Sequence, residues 1–242
     1  MAAGSAARAT GDRMPDGSNL ITLGGAAFLA DPSGALWCAA TRTLVVADLH
    51  FEKGSAFAVR GQMLPPYDTR DTLFRLAEAV ARYSPRTVIA LGDSWHDTPG
   101  QARMTRDDSA ALARLQTGRR WVWITGNHDP SIDSSLGGEH MEELTLGSLM
   151  LRHQPSERAG GCEIVGHYHP AAKVAVQGRA LRRRCFVHDD RRLVLPAFGA
   201  FTGGLNVLDA AYDVVIERSR MRVLALGETG VYPVHTTLLR PD

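Results

Sequence analysis

The chain has 242 residues, 27 basic and 26 acidic side chains, and a formal net charge of +1. That length suits one domain with a well-buried core, and the near-neutral balance supplies no bulk attraction to nucleic acid or to a membrane surface. No apolar run approaches the roughly 20 residues of a membrane span, and three cysteines without a Cys-x-x-Cys spacing argue for reduced, buried thiols in a cytoplasmic protein.

Residues 1–19, rich in Ala, Gly, Ser and Arg, lack the apolar stretch of a secretory signal and read as a disordered tail, with Met14 as an alternative start. Residues 20–242 read as a single domain. Two antiparallel strands around the turn "DPSG" come first, then a buried strand at 43–47. In 68–82, apolar residues at Leu73, Leu76, Ala77 and Val80 have helical spacing, with Asp68 or Asp71 as N-cap. A buried strand at 87–91, a helix at 104–118 ended by Gly118 and a strand at 121–125 follow. The second half is strand-rich, with "HDDR" at 188–191 as a hairpin turn. The alternation, then the strand-rich half, predicts an α/β fold of two stacked sheets with helices outside.

The residues that follow the strands carry the chemistry. Asp48 and His50 follow "TLVVA"; Asp93 and His96 follow "VIAL"; Asn127, His128 and Asp129 follow "VWIT"; His153 follows "LMLR"; His167 and His169 follow "EIV". Ligands gather at the carboxyl ends of strands in open α/β sheets, and Asp, Asn and His are the oxygen and nitrogen donors of a divalent transition metal. Taken singly, each has a plain alternative as a turn, cap or surface residue. Five in succession, each behind an apolar run, do not.

Asp-x-His, Gly-Asp, Gly-Asn-His-Asp, His and Gly-His-x-His in this order resemble the calcineurin-like metallophosphoesterase superfamily, whose fold is a two-sheet β-sandwich flanked by helices. The resemblance implies two divalent ions, Mn²⁺ by expectation and Fe²⁺ or Zn²⁺ as alternatives. Asp48, His50 and His169 would hold one, Asn127, His153 and His167 the other, and Asp93 would bridge them. A water held by both would ionise near neutral pH and attack phosphorus in line. The family places His128 by the scissile phosphate as a catalytic residue. A bond from His128 to Asp129 is compatible with that role. His96, three residues beyond the bridging Asp, resembles a second such histidine in DNA-repair nucleases of the SbcD type.

"RLVLPAFGAFTGGLNV" at 192–207, with "VADLHFEKG" and "LGDSWHD", resembles the ligase-associated DNA damage response endonucleases. That implies a DNA endonuclease acting on single-stranded or damaged DNA, in functional association with a DNA ligase, a helicase and an exonuclease. A small-molecule phosphodiesterase or pyrophosphatase acting on cyclic nucleotides or nucleotide-sugars is the alternative. Candidate substrate-binding residues are Lys53 and Arg60 at the cleft rim, and Trp95, Phe198 and Phe201 for base stacking. Arg182, Arg183 and Arg184 read as a solvated strand face or a phosphate track. Tyr168, between two ligand histidines, is expected to point to core or rim.

Overall fold

The computed structural model describes residues 19–157, 160–176 and 178–242. The tail expected at 1–19 lies outside these except for Asn19, whose Nδ2 donates to the carbonyl of Ala30 at 3.1 Å.

Strands β1 (Leu20–Leu23), β2 (Ala26–Ala30), β3 (Leu36–Cys38), β4 (Thr43–Val46), β5 (Thr87–Leu91), β6 (Arg120–Ile124) and β7 (Glu139–Met141) form the first sheet in chain order. The first four make an antiparallel meander and β4 to β7 run parallel. Where the sequence suggested two strands before β4 there are three, because Gly24 and Gly25 both take positive φ and turn β1 into β2. The "DPSG" turn joins β2 to β3. Its Asp31 is buried, accepts from the Tyr83 hydroxyl at 2.6 Å and pairs with Arg82.

The second sheet runs β14 (Leu205–Asn206), β11 (Pro170–Val176), β12 (Arg179–His188), β13 (Arg192–Val194), β10 (Cys162–Val165), β9 (Leu149–Arg152) and β8 (Glu143–Leu146). Strands β15 (Arg222–Leu226) and β16 (Val231–Val234) extend it from β12. The β12–β13 hairpin closes at "HDDR", where the Asp189 carboxylate accepts from the amides of Arg191 and Arg192 at 2.7 Å.

Strand parity sorts the core into layers. Val45, Ile89, Leu91, Val122 and Ile124 face the second sheet, meeting Leu151, Ile164, Phe186 and Leu193. Leu44, Val46, Val88, Ala90, Trp121 and Trp123 face helices α2 (Asp68–Tyr83) and α4 (Arg106–Gln116). Those helices contribute Leu73, Leu76, Ala79 and Leu112 to the layer. Full burial of a side chain such as Leu76 is worth about 1.5–3 kcal/mol. The outer face of the second sheet packs Val165, Cys185 and Val187 against Tyr212, Val215 and Ile216. Cys38 and Cys185 are buried free thiols and Cys162 is half-buried. Two short helices unmarked by the sequence, α1 (Lys53–Val59) and α3 (Gly100–Arg103), flank the ends of β4 and β5. The architecture is therefore a two-sheet α/β sandwich with helices outside.

Candidate metal centre

Strands β4, β5 and β6 are parallel neighbours in one sheet, and β9 and β10 are parallel neighbours in the other. Their carboxyl ends therefore open on the same edge, and the chain leaves each with an Asp, Asn or His. The oxygen and nitrogen donors of Asp48, His50 and His169 lie within 4.8 Å of one another, and so do those of Asp93, His153 and His167. His50 and His169 oppose their Nε2 atoms at 3.2 Å, with Asp48 Oδ1 3.2 Å from His169 Nε2. In the second group, His153 Nε2 lies 3.3 Å from Asp93 Oδ2, 3.3 Å from His167 Nδ1 and 3.1 Å from Asn127 Oδ1. His167 and His169, two residues apart, thus fall in different groups.

The backbone is bent hard to achieve this. Asp48, His50, Asp93, His167 and His169 all have φ between 45° and 69°. That region is uncommon for residues other than glycine, and Asp, Asn and His are the side chains most often found there. Strain of this kind gathers at functional sites and persists where surroundings over-determine it. Here the surroundings are strand-to-strand bonds. The amides of Asp48 and His50 donate to the carbonyls of Gly92 and Asp93 at 3.2 and 3.0 Å, and the amide of His167 donates to the Asp48 carboxylate at 3.1 Å. Space also selects glycine: a Cβ on Gly92 would fall 2.3 Å from His153 Nδ1, and one on Gly126 2.1 Å from Asp93 Oδ1.

The donor chemistry fits divalent cations. His153 donates its Nδ1 proton to the Leu91 carbonyl at 3.0 Å, so its Nε2 lone pair faces the cluster. Burial, only partly offset by Asp48, pushes His50 down to about 3 and keeps it neutral, as a ligand must be. Burial opposes ionisation of Asp93, but His153 and the His128 amide outweigh it and bring the carboxyl down to about 2. Without a cation, His153 serves as that carboxylate's counter-ion. Burial resists its protonation, yet Asp93 and Asp48 lift it to about 9.

His128 and His96 stand beside His50, with ring centroids 5.2 and 5.6 Å away. His128 is not bonded to Asp129. Its Nδ1 donates to the His96 carbonyl at 2.6 Å, its Nε2 lies 3.9 Å from Asp93 Oδ2, and 39% of its side chain is exposed. Asp129 is fully buried and was missed as a positioning residue. Its carboxylate accepts from the amides of Gly126, Ser94 and Trp95 at 2.9, 2.7 and 3.2 Å, tying the β6 loop to the β5 loop. The only signal was an acid three residues beyond the glycine. Burial and then the charge of Lys53 hold His96 below its usual range.

The rim differs from expectation at two places. Trp95 is fully buried, with its ring 5.8 Å from Phe51 and 5.2 Å from Trp123, and Phe198 is fully buried under the Arg75 guanidinium. Neither ring can stack a base. Phe201 is 48% exposed, Lys53 donates to its carbonyl at 2.9 Å, and Arg60 is exposed at the end of α1. Tyr168 turns to the outer face of the second sheet, 5.3 Å from the Tyr212 ring.

Comparison with known proteins agrees with this geometry. Residues 41–190, more than half of the chain, match the model of the calcineurin-like phosphoesterases. Among solved structures, the chain is similar to the Pseudomonas putida nuclease MPE, with 30% identity and a TM-score of 0.70 over 89% of this chain and 98% of that one. It is similar at 14% identity and a TM-score of 0.41 to Yfce, a phosphoesterase from E. coli, over 79% of this chain and 97% of that one. A search of curated proteins finds no match. The matched model spans every strand end that carries a candidate ligand, and the chain belongs to the calcineurin-like phosphoesterase family.

Proposed function

We propose that this chain is a DNA endonuclease of DNA repair that hydrolyses phosphodiester bonds in single-stranded or damaged DNA with two divalent ions, Mn²⁺ by preference. The observation that carries the reading is the pair of donor groups, Asp48, His50 and His169 in one and Asp93, His153 and His167 in the other. Asp48, His50 and His169 would hold one ion, Asn127, His153 and His167 the other, and Asp93 both. Bound there, the ions supply Lewis acidity toward the phosphate and an ionised water at neutral pH.

The chain's own residues do the rest. Only two carboxylates among seven ligands leave the loaded site cationic, which favours an anionic phosphodiester. His128 keeps its Nδ1 proton on the His96 carbonyl, so a second proton, when carried, sits on Nε2 at the open side. From there it can stabilise charge on phosphorus oxygens or protonate the leaving deoxyribose oxygen. His96, held neutral, shares that side. Asp129 fixes the two loops that carry Asp93 and His128. The similarity to a nuclease at 30% identity supports a nucleic acid as substrate.

The test is Mn²⁺-dependent cleavage of circular single-stranded DNA, which has no ends for an exonuclease. Linear product is expected; intact circles with every divalent metal tried would overturn the reading.

A further inference from the structure

Four cationic side chains close on the carbonyls of one loop. Arg184 donates to Ala197 at 2.7 Å, Arg75 to Phe198, Lys53 to Phe201 at 2.9 Å and Arg182 to Gly204. The loop is sewn to the ends of both ligand-bearing sheets. Its Phe198 and Gly199 amides donate to the carbonyls of Ala47 and Asp48 at 2.8 and 3.0 Å, and the amide of Leu205 donates to the carbonyl of His169 at 3.0 Å.

Arg182 is paired with Asp242. Lys53, Arg75 and Arg184 have no carboxylate within ion-pair distance among the described residues. Asp68, whose charge is felt at Lys53, accepts from the Gly54 amide instead. Asp71 is felt at Arg75 in the same way, so the three cations around the loop are without a direct ion pair while two of them feel a carboxylate at longer range. An ammonium has three donors and a guanidinium five, and a bond to one carbonyl leaves the others to spend.

At the crest of the loop stands Phe201, exposed, with φ 56°. A bulky residue there is strained, and the Lys53 ammonium on its own carbonyl holds it in place. The loop thus presents an exposed aromatic ring, with Lys53 on its carbonyl, beside the Asp48 and His169 strand ends.

We propose that this loop and its cationic collar bind the single-stranded nucleic acid that flanks the scissile phosphate, with a base stacked on Phe201 and a phosphate on Lys53. The proposal rests on the phosphodiesterase reading only for the position of the scissile bond, because the surface itself is tested by binding alone.

Fluorescence anisotropy of a labelled single-stranded oligonucleotide, read without turnover, measures it. Phe201→Ala is expected to weaken binding about 5- to 150-fold, the range for losing one stacked base, and Phe201→Trp to restore it. Lys53→Met is expected to lower the slope of log affinity against log salt by about 0.7, one single-strand phosphate contact. Wild-type affinity in Phe201→Ala with an unchanged salt slope in Lys53→Met overturns the proposal, as does a wild-type protein that does not bind single strands. Binding that depends on both residues, in a protein that cleaves neither DNA nor bis(p-nitrophenyl) phosphate, supports the surface and overturns the catalytic reading instead.

Discussion

His50 and His169 face each other Nε2 to Nε2 at 3.2 Å, with the Asp48 carboxylate on the same point. Two imidazoles and a carboxylate converging this way form a group that could hold a cation. Divalent metal should therefore stabilise the fold. At a hundred times its dissociation constant each bound ion adds about 2.7 kcal/mol, and at about 2–4 °C per kcal/mol for a chain of this size the melting temperature rises by about 5–10 °C per ion. Differential scanning calorimetry of chelator-treated protein, with and without Mn²⁺, measures it; no shift would remove the metal centre.

Asp93 and His128 separate holding metal from doing chemistry. Asp93→Asn is expected to lower bound metal below two ions per chain and cleavage by about 10²–10³, the several kcal/mol of charge stabilisation that metal supplies. His128→Ala should keep the metal, because its ring belongs to neither proposed ligand group, and lose about 10²–10⁴ in rate, as for a lost general acid. The loss should be smaller with bis(p-nitrophenyl) phosphate, whose leaving group departs without a proton. Metal analysis beside kinetics on both substrates decides it, and equal losses on the two would remove the acid role.

Gly126→Ala tests the close approach of the β6 loop to Asp93. A methyl group 2.1 Å from Asp93 Oδ1 cannot be accommodated without moving the carboxylate. Metal affinity is expected to fall about 10- to 100-fold, the range for disturbing a ligand's support. Calorimetric Mn²⁺ titration reads it, and a wild-type isotherm would show that the loop shifts freely.

Far from the centre, Asp31 predicts an acid-labile contact. Burial opposes its ionisation, but bonds from Ser33, Tyr83 and Arg82 outweigh that and hold it below the usual range. A carboxyl depressed by folding stabilises the protein above its unfolded value near 3.9, and that stability is lost as pH falls through the folded value. Asp31→Asn should cost about 1–3 kcal/mol at pH 7 by removing the charged acceptor from the half-buried Tyr83 hydroxyl and from Arg82. The gap from wild type should narrow toward pH 3. Urea denaturation at the two pH values checks both; a gap that widens in acid would reverse the sign.

The candidate centre was legible because chemistry dictates its letters. Asp, Asn and His at the ends of apolar strands mark where donors converge, and the glycines beside Asp93, Asn127 and His167 mark where backbones crowd. Burial at the rim was not legible. Trp95 lies two residues beyond Asp93 and Phe198 sits in a glycine-rich loop, and proximity in sequence does not tell which way a side chain turns once a chain leaves its strand. Helix α1 was hidden for a different reason: seven residues with buried Gly54 and Ala56 carry no apolar stripe to read. Asp129 kept its motif but changed partner, because three unpaired backbone amides compete for it more strongly than one neighbouring ring.

Asp48 and His50 belong to one sheet's edge and His169 to the other's, and 119 residues separate the two histidines. An ion shared among them would be a reversible cross-link that closes a long loop. By the chain-entropy reckoning used for disulfides, closing about 100 residues restricts the unfolded chain by up to about 4.7 kcal/mol. The sandwich and its chemistry are thereby coupled. Loosening one sheet from the other dissolves the centre, and filling the centre locks the sheets together.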